Sequence, residues 1–142
     1  QLHNDKQLGK YARKVAKTKH LPLIRVSASF HQIIREGKFV WNPELGEFLS
    51  YIKNAECMIT DSFHGTAFAI NFNVPFVEIL PNNNTGTRNM SILKMTVLSG
   101  RVLWNADNLT LGSEPIDYRR VNEILENKRV ESLTILQKMI EE

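Results

Sequence analysis

The sequence lacks the features that mark several classes of protein. Its 142 residues include a single cysteine, Cys57, which excludes an internal disulfide and any multi-cysteine metal site. No apolar run approaches the roughly 18 residues that a membrane-spanning helix needs. The net charge is only +3 and the basic residues are scattered, so no basic stripe is present to bind nucleic acid. The composition, with 42% hydrophobic and 23% charged residues, is that of a globular domain with a real core.

Short apolar runs alternate with amphipathic patterns along the chain. Because strands and helices alternate, the pattern predicts a three-layer α/β domain with a mostly parallel sheet and helices on both faces. Asn42 followed by Pro43 is typical of a helix start, whereas residues 28–41 and 81–88 are predicted to be loops, the second with a bend at Gly86. The predicted strands are 21–27, 56–60, 75–80 and 101–104. The predicted helices include a first one ending near Lys19, then 63–72 and 89–98, one around Val121 and a separate last one from Val130 to Ile140.

The segment TDSFHGT, residues 60–66, concentrates reactive side chains between a predicted strand and a predicted helix. With Asp61 or Ser62 as the N-cap, the first free backbone N–H groups of the helix point outward and suit a carboxylate or a phosphate. His64 can donate to that anion or move a proton near neutral pH. The anion site predicted in this way comprises the amides of Phe63, His64, Gly65 and Thr66 with the hydroxyls of Ser62 and Thr66.

The same segment has simpler interpretations. Asp-Ser at a helix start mostly serves as a cap, and a lone histidine is more often structural than catalytic. A serine nucleophile fits poorly, because the pattern G-x-S-x-G lacks its first glycine and the spacing of Ser62 and His64 does not form a Ser–His pair. Arg88, just beyond the second polar loop, is either a bidentate partner for an anion at residues 63–66 or a solvated arginine at a helix start. The chain's other histidines, His3, His20 and His31, lack a cysteine or carboxylate at ligand spacing, so no metal site is expected.

Residues 43–77 closely resemble the signature region of the polysaccharide pyruvyl transferase family. The family pattern NA-x-x-x-x-TDSFHGT-x-F-x-I-x-F-N-x-P-F is matched from Asn54 to Phe76. Downstream, Arg88 and Arg101 resemble the two arginines that flank a family helix, and the tail resembles the family's closing helices. On this interpretation the resemblance covers nearly all of the chain from about residue 43 onward.

The resemblance implies an enzyme that transfers the enolpyruvyl unit of phosphoenolpyruvate to two hydroxyls of a sugar, forming a cyclic pyruvate ketal. It implies that residues 1–142 are a single α/β domain, the C-terminal half of a GT-B-like protein whose N-terminal half is absent. His64 then serves as the acid or holds the leaving phosphate. The donor site combines Ser62, Phe63, His64, Gly65, Thr66 and Arg88, whereas Asp61 caps the helix, since a carboxylate facing a dianionic donor would repel it.

Several expectations accompany this assignment. The partners are phosphoenolpyruvate and a sugar or lipid-linked oligosaccharide acceptor, with no cofactor and no nucleic acid. The setting is exopolysaccharide and cell-envelope synthesis in the cytoplasm, with peripheral membrane association, and an exposed sheet edge suits a homo-oligomer. Two alternatives remain: a nucleotide-sugar glycosyltransferase of GT-B type, which would bind a nucleoside diphosphate, and a non-catalytic domain of the same fold, which would bind neither ligand.

Overall fold

The computed structural model describes residues 6–28 and 30–141. Helices and short strands alternate, so the predicted α/β class is confirmed. The strands are β1 (Ile24–Ser27), β2 (Lys38–Trp41), β3 (Met58–Thr60) and β4 (Phe76–Glu78). The α-helices are α1 (Lys6–Lys19), α2 (Leu45–Lys53), α3 (Phe63–Asn71), α4 (Asn84–Met95) and α5 (Tyr118–Glu141), and 3-10 turns occupy Phe30–Ile34, Ser99–Arg101 and Leu111–Ser113.

The paired strands run parallel, as predicted. β1 pairs with β2, Ile24 opposite Lys38, and β3 pairs with β4, Met58 opposite Phe76. A single parallel bridge joins Glu78 to Val102. Within the described residues these ladders form two separate two-stranded sheets, whereas one continuous sheet was predicted.

Strand β4 lies at the centre of the core. Successive side chains of a strand face opposite sides, so β4 contributes to a cluster on each face. Phe76 packs into one cluster and Val77 into another, and both are fully buried. The first cluster draws Ala69 and Ile70 from α3 and Leu93 from α4, and the second draws Leu8, Tyr11 and Val15 from α1. Helices therefore cover both faces of the β3–β4 pair, and α3 starts at the carboxyl end of β3.

The segment 28–41 is more ordered than the sequence suggested. It contains the 3-10 turn at Phe30–Ile34 and strand β2, which the lack of a clear period concealed. The predicted helix start at Asn42 and Pro43 is wrong: α2 begins at Leu45 with Glu44 at its N-cap. Asn42 instead has a positive φ of 41° and its amide donates to Ser27 O, so it closes the β1–β2 ladder.

The predicted loop 81–88 is also wrong in its second half. Helix α4 begins at Asn84, and the side chain of Asn83 caps it by accepting from the amide of Thr85 at 2.9 Å. Gly86 lies inside this helix rather than at a bend. A Cβ there would stand 2.1 Å from the carbonyl oxygen of Pro81, so the glycine permits the close approach of the helix to the preceding chain.

The C-terminal region differs from the prediction in two respects. The two predicted helices are one, α5, because no proline or glycine interrupts residues 118–141. The predicted strand 101–104 is reduced to the bridge at Val102, which follows the 3-10 turn Ser99–Arg101. Among the described residues, no helix combines the length and apolar character needed to cross a membrane.

Candidate functional site

The TDSFHGT segment adopts the predicted strand-to-helix junction, with a different cap. Ser62, not Asp61, is the N-cap of α3, and its Oγ accepts from the amide of Gly65 at 3.3 Å. The amide of Ser62 donates in turn to Thr60 Oγ1 at 3.0 Å. The Asp61 side chain is only 1% exposed, so it points into the protein, whereas a capping side chain would reach over the helix start.

The number of backbone donors open to an anion is smaller than predicted. The amide of Gly65 is occupied by the Ser62 cap, and that of Thr66 donates to Ser62 O at 2.9 Å. The amides of Phe63 and His64 have no upstream carbonyl within the helix, so they are the ones suited to an external acceptor. The Ser62 hydroxyl accepts in the cap and keeps its own hydrogen for donation.

Gly65 serves the packing of α3 against β3. A Cβ at this position would lie 2.6 Å from Thr60 Oγ1 and 2.7 Å from Met58 Cε. The terminal methyl of Met58 could move aside, but Thr60 Oγ1 accepts from the amide of Ser62, so a larger residue at position 65 would disturb the bond that holds the helix start to the strand. The glycine therefore sets the position of the first helical turn, and its missing side chain faces protein and not a ligand.

Arg88 reaches the start of α3 from the neighbouring helix α4. Its guanidinium carbon lies 4.4 Å from the centroid of the Phe63 ring, within cation–π distance. The Phe63 ring meets the His64 imidazole edge to face at 5.8 Å between centroids. Both Arg88 and His64 are exposed and Phe63 is half-buried. The structure thus places an arginine, a histidine and the helix start together on one surface.

Thr66 does not join that surface. Its side chain is fully buried, and its Oγ1 lies 3.0 Å from Ser62 O and 2.5 Å from Glu78 Oε2. Thr66 is therefore part of the support beneath the site, and its predicted role as a hydroxyl donor to the anion does not match its position.

A buried carboxyl, that of Glu78, lies directly beneath the start of α3. Glu78 is fully buried at the end of β4, and its second oxygen, Oε1, accepts from Asn89 Nδ2 at 2.6 Å. Asn89 Nδ2 also lies 3.3 Å from Asp61 O, so it joins α4 to the β3–α3 junction. The pKa of Glu78 is raised from 4.5 to about 7. Burial is the largest cause and the negative charge of Asp61 acts in the same direction, whereas the hydrogen bonds with Thr66 and Asn89 lower the pKa and only partly offset burial.

Glu78 and Asn89 were not predicted as part of the site. Glu78 interrupts the apolar run PFVEIL, and a lone carboxylate in a buried strand is the signal that could have identified it. Asn89 had no such signal, because its position was assigned to the first turn of a predicted helix.

Arg101 is a structural residue. It is 5% exposed, and its guanidinium donates to the carbonyl oxygens of Phe76 at 2.9 Å, Glu114 at 3.4 Å and Leu111. Burial lowers its pKa. Within residues 6–28 and 30–141, no group of three or more His, Cys, Asp or Glu side chains is arranged to hold a metal ion. His3 and the side chain of His31 lie outside what the structure describes.

A scan against protein-family models matches this chain to the family described as polysaccharide pyruvyl transferase, over residues 3–84. The match covers more than half of the 142 residues, and the chain therefore belongs to that family. A search of curated proteins and a search of solved structures each gave no match.

The span of the match corrects the extent predicted for the resemblance. It begins near the start of the chain and ends at residue 84, so it includes β1, β2 and the whole TDSFHGT segment. It does not include Arg88, Arg101 or the tail, which the resemblance had been taken to cover. The placement of the family region toward the C-terminus of this chain was therefore wrong. The assignment of Arg88 to the site depends instead on its contact with the Phe63 ring.

Proposed function

We propose that this protein transfers the pyruvyl group of phosphoenolpyruvate to two hydroxyls of a glycan, with the donor held at the start of α3. The observation that carries the proposal is the convergence of His64, the helix N-terminus and Arg88 on one surface, within and beside the segment that the family model matches. Phosphoenolpyruvate carries a carboxylate and a phosphate, and both groups suit a helix start and a guanidinium.

The donor site comprises Ser62, Phe63, His64, Gly65 and Arg88. The amides of Phe63 and His64 and the hydroxyl of Ser62 donate to one anionic group of the donor. Arg88, held against the Phe63 ring, donates to the other as a fork of N–H groups. Gly65 contributes by fixing the helix start against β3.

The chemistry requires one proton at the donor's methylene carbon and the departure of phosphate. His64 supplies that proton, which turns the methylene into a methyl group and leaves a positively polarised carbon. The first sugar hydroxyl attacks this carbon, the carbon–oxygen bond to phosphate breaks, and the second hydroxyl closes the ketal. The two hydroxyl hydrogens balance the step: one restores the proton of His64 and the other leaves with phosphate. Arg88 stabilises the charge on the departing phosphate.

The acceptor proposed is a sugar or a lipid-linked oligosaccharide of the cell envelope. The proposal includes exopolysaccharide synthesis, a cytoplasmic location with peripheral membrane contact, and a GT-B-like whole enzyme. No cofactor or metal is required beyond phosphoenolpyruvate, because protonation and anion binding are both supplied by side chains and backbone.

A transfer assay tests the activity. The protein is incubated with phosphoenolpyruvate and a panel of glycans, and phosphate release is measured together with the appearance of a ketal methyl signal by proton NMR. We expect both signals from the wild type, and their loss in His64→Ala. Turnover of a nucleotide-sugar without turnover of phosphoenolpyruvate would refute the proposal and favour the glycosyltransferase alternative. Arg119→Ala, a change at an exposed arginine of α5, is the matched control.

A further inference from the structure

The residues of the proposed donor site stand on two different helices, and one buried side chain connects both. His64 lies on α3 and Arg88 lies on α4. Glu78 Oε2 lies 2.5 Å from the hydroxyl of Thr66, two positions after His64, and Glu78 Oε1 accepts from Asn89, directly after Arg88. Glu78, Thr66 and Asn89 are each 0% exposed.

The number of hydrogens that Thr66 and Asn89 can donate determines which protonation state of Glu78 completes this network. The Thr66 hydroxyl has one hydrogen but lies within bonding distance of two acceptors, Ser62 O and Glu78 Oε2. When Glu78 is ionised, that hydrogen can serve only one of them. When Glu78 carries a proton on Oε2, it donates to Thr66 Oγ1, and Thr66 donates onward to Ser62 O.

The protonated form therefore gives a continuous chain of hydrogen bonds from β4 to the N-cap of α3. Asn89 completes the other side, because its two Nδ2 hydrogens match its two acceptors, Glu78 Oε1 and Asp61 O. The start of α3 and the middle of α4 are then fixed to the same carboxyl.

We propose that Glu78, in its protonated form, is a positioning residue that holds the α3 start and α4 in the relative arrangement that brings His64 and Arg88 together. The inference deepens the proposed function and rests on it for its consequence in donor binding. Ionisation of Glu78 leaves the single Thr66 hydrogen with two acceptors, Ser62 O and Glu78, so one of the two links is lost. It also places a second negative charge beside Asp61, beneath the proposed site for a dianion. Donor affinity should therefore fall as Glu78 loses its proton.

The elements packed against Glu78 carry four charged or titratable side chains, of which Asp61 acts on its carboxyl. Asp61 precedes α3, His64 lies on α3, Arg88 on α4, and Arg101 on the adjoining 3-10 turn. Asp61 contributes the electrostatic interaction that disfavours ionised Glu78, in the same direction as its burial. Because His64 is a further ionisable side chain at the start of α3, the experiment without donor uses a background that lacks it.

The test without donor uses NMR in a His64→Gln background, with and without Glu78→Gln. The glutamine is a fitting mimic of the protonated acid, because its N–H group can donate to Thr66 while its oxygen accepts from Asn89. With Glu78 present, we expect its carboxyl carbon and the amides of residues 62–66 and Arg88 to titrate together with a midpoint near 7. With Glu78→Gln, that common transition should disappear from the amides.

A second arm measures the affinity for phosphoenolpyruvate from about pH 6 to about pH 8 in proteins that keep His64. The wild type should lose affinity relative to Glu78→Gln as pH rises, by up to about tenfold per pH unit above the midpoint. The titration of the donor's own phosphate affects both proteins equally and cancels in the ratio. Thr66→Val, which removes the hydroxyl at similar volume, should lose less affinity than the wild type as pH rises, because only the effect of the charge on Glu78 remains.

The outcomes separate the two proposals. If the wild type binds no phosphoenolpyruvate at any pH, the proposed donor site fails, and the donor-free NMR arm alone decides the role of Glu78. If the Glu78 carboxyl titrates near its ordinary 4.5, or if the site amides do not follow it, the positioning role is refuted. An affinity ratio that stays constant across the pH range also refutes it.

Discussion

Glu78 should make the stability of the fold fall as pH rises. The size of the effect follows from the difference between its pKa in the folded and the unfolded protein, which is caused mainly by burial. The folded protein holds the Glu78 proton up to about pH 7, whereas the unfolded chain releases it near 4.5. Below that lower value both states are protonated and the residue adds no pH dependence. Between the two values the folded state binds more protons than the unfolded state, so the free energy of unfolding decreases with rising pH.

The full difference corresponds to about 3 kcal/mol, lost progressively from about pH 4.5 and complete above about pH 8. The sign is the reverse of that of a carboxylate in a salt bridge, whose stabilising effect is lost on acidification. A stabilising effect of Glu78 at high pH would therefore contradict the structure directly.

The assay is urea unfolding of the wild type and of Glu78→Gln at about pH 5.5 and about pH 8, where the two proteins should diverge. The glutamine variant should match the wild type within about 1 kcal/mol at the lower pH and exceed it by about 2 kcal/mol at the higher pH. Glu78→Ala should be less stable than Glu78→Gln at both, because it leaves a cavity and unpaired donors at two helices. A difference between the wild type and Glu78→Gln that does not depend on pH would show that the folded protein does not hold the Glu78 proton up to about pH 7.

Three further changes test the packing around the site, each by the midpoint of urea unfolding. Gly86→Ala should cost about 3 kcal/mol because its Cβ would clash with a backbone carbonyl, whereas Gly46→Ala, with open space around it, should stabilise α2 by about 1 kcal/mol. An equal effect of the two changes would contradict the close approach at Gly86. Arg101→Met should cost about 3 kcal/mol by leaving buried carbonyls without donors, and Arg119→Met, on an exposed arginine, about 0.5 kcal/mol or less. Tyr118→Phe should cost about 1 kcal/mol through loss of a hydrogen bond to Val74 O, and an unchanged midpoint would show that this bond contributes nothing.

The sequence predicted the strand-to-helix junction at residues 58–71 because its signals are local. Thr60 ends a short apolar run, Ser62 is a preferred N-cap residue, and Phe63 opens a run of helix-compatible residues. The choice between Asp61 and Ser62 could not be made locally, since both are good caps. The close packing of the junction against β3 decided it, as Asp61 turns inward.

The polar support beneath the site could not be predicted, because its partners are distant in sequence. Thr66 and Glu78 are 12 residues apart, and Glu78 and Asn89 are 11 apart on separate elements. Only the tertiary fold brings them together. The error at residues 81–88 has a related cause: asparagines favour turns and helix caps equally, and Asn83 proved to be a cap.

The separate two-stranded ladders also lay beyond local reasoning. Apolar runs show where strands form, but pairing depends on which strand ends the packing brings together. Strand β2, with Lys38 and Trp41 exposed at its ends, carries too weak an apolar pattern to be separated from the preceding turn.

A donor site at the start of α3 is tested most directly by an NMR titration of the protein with phosphoenolpyruvate, run beside UDP and inorganic phosphate. We expect saturable shifts from phosphoenolpyruvate at the amides of residues 62–66. Arg88→Ala should weaken binding by about tenfold or more, as should His64→Ala, because each removes a charge-assisted or helix-start contact, while Arg119→Ala should leave it unchanged. Binding of UDP alone, or binding of phosphoenolpyruvate that neither variant weakens, would contradict a donor site at the start of α3.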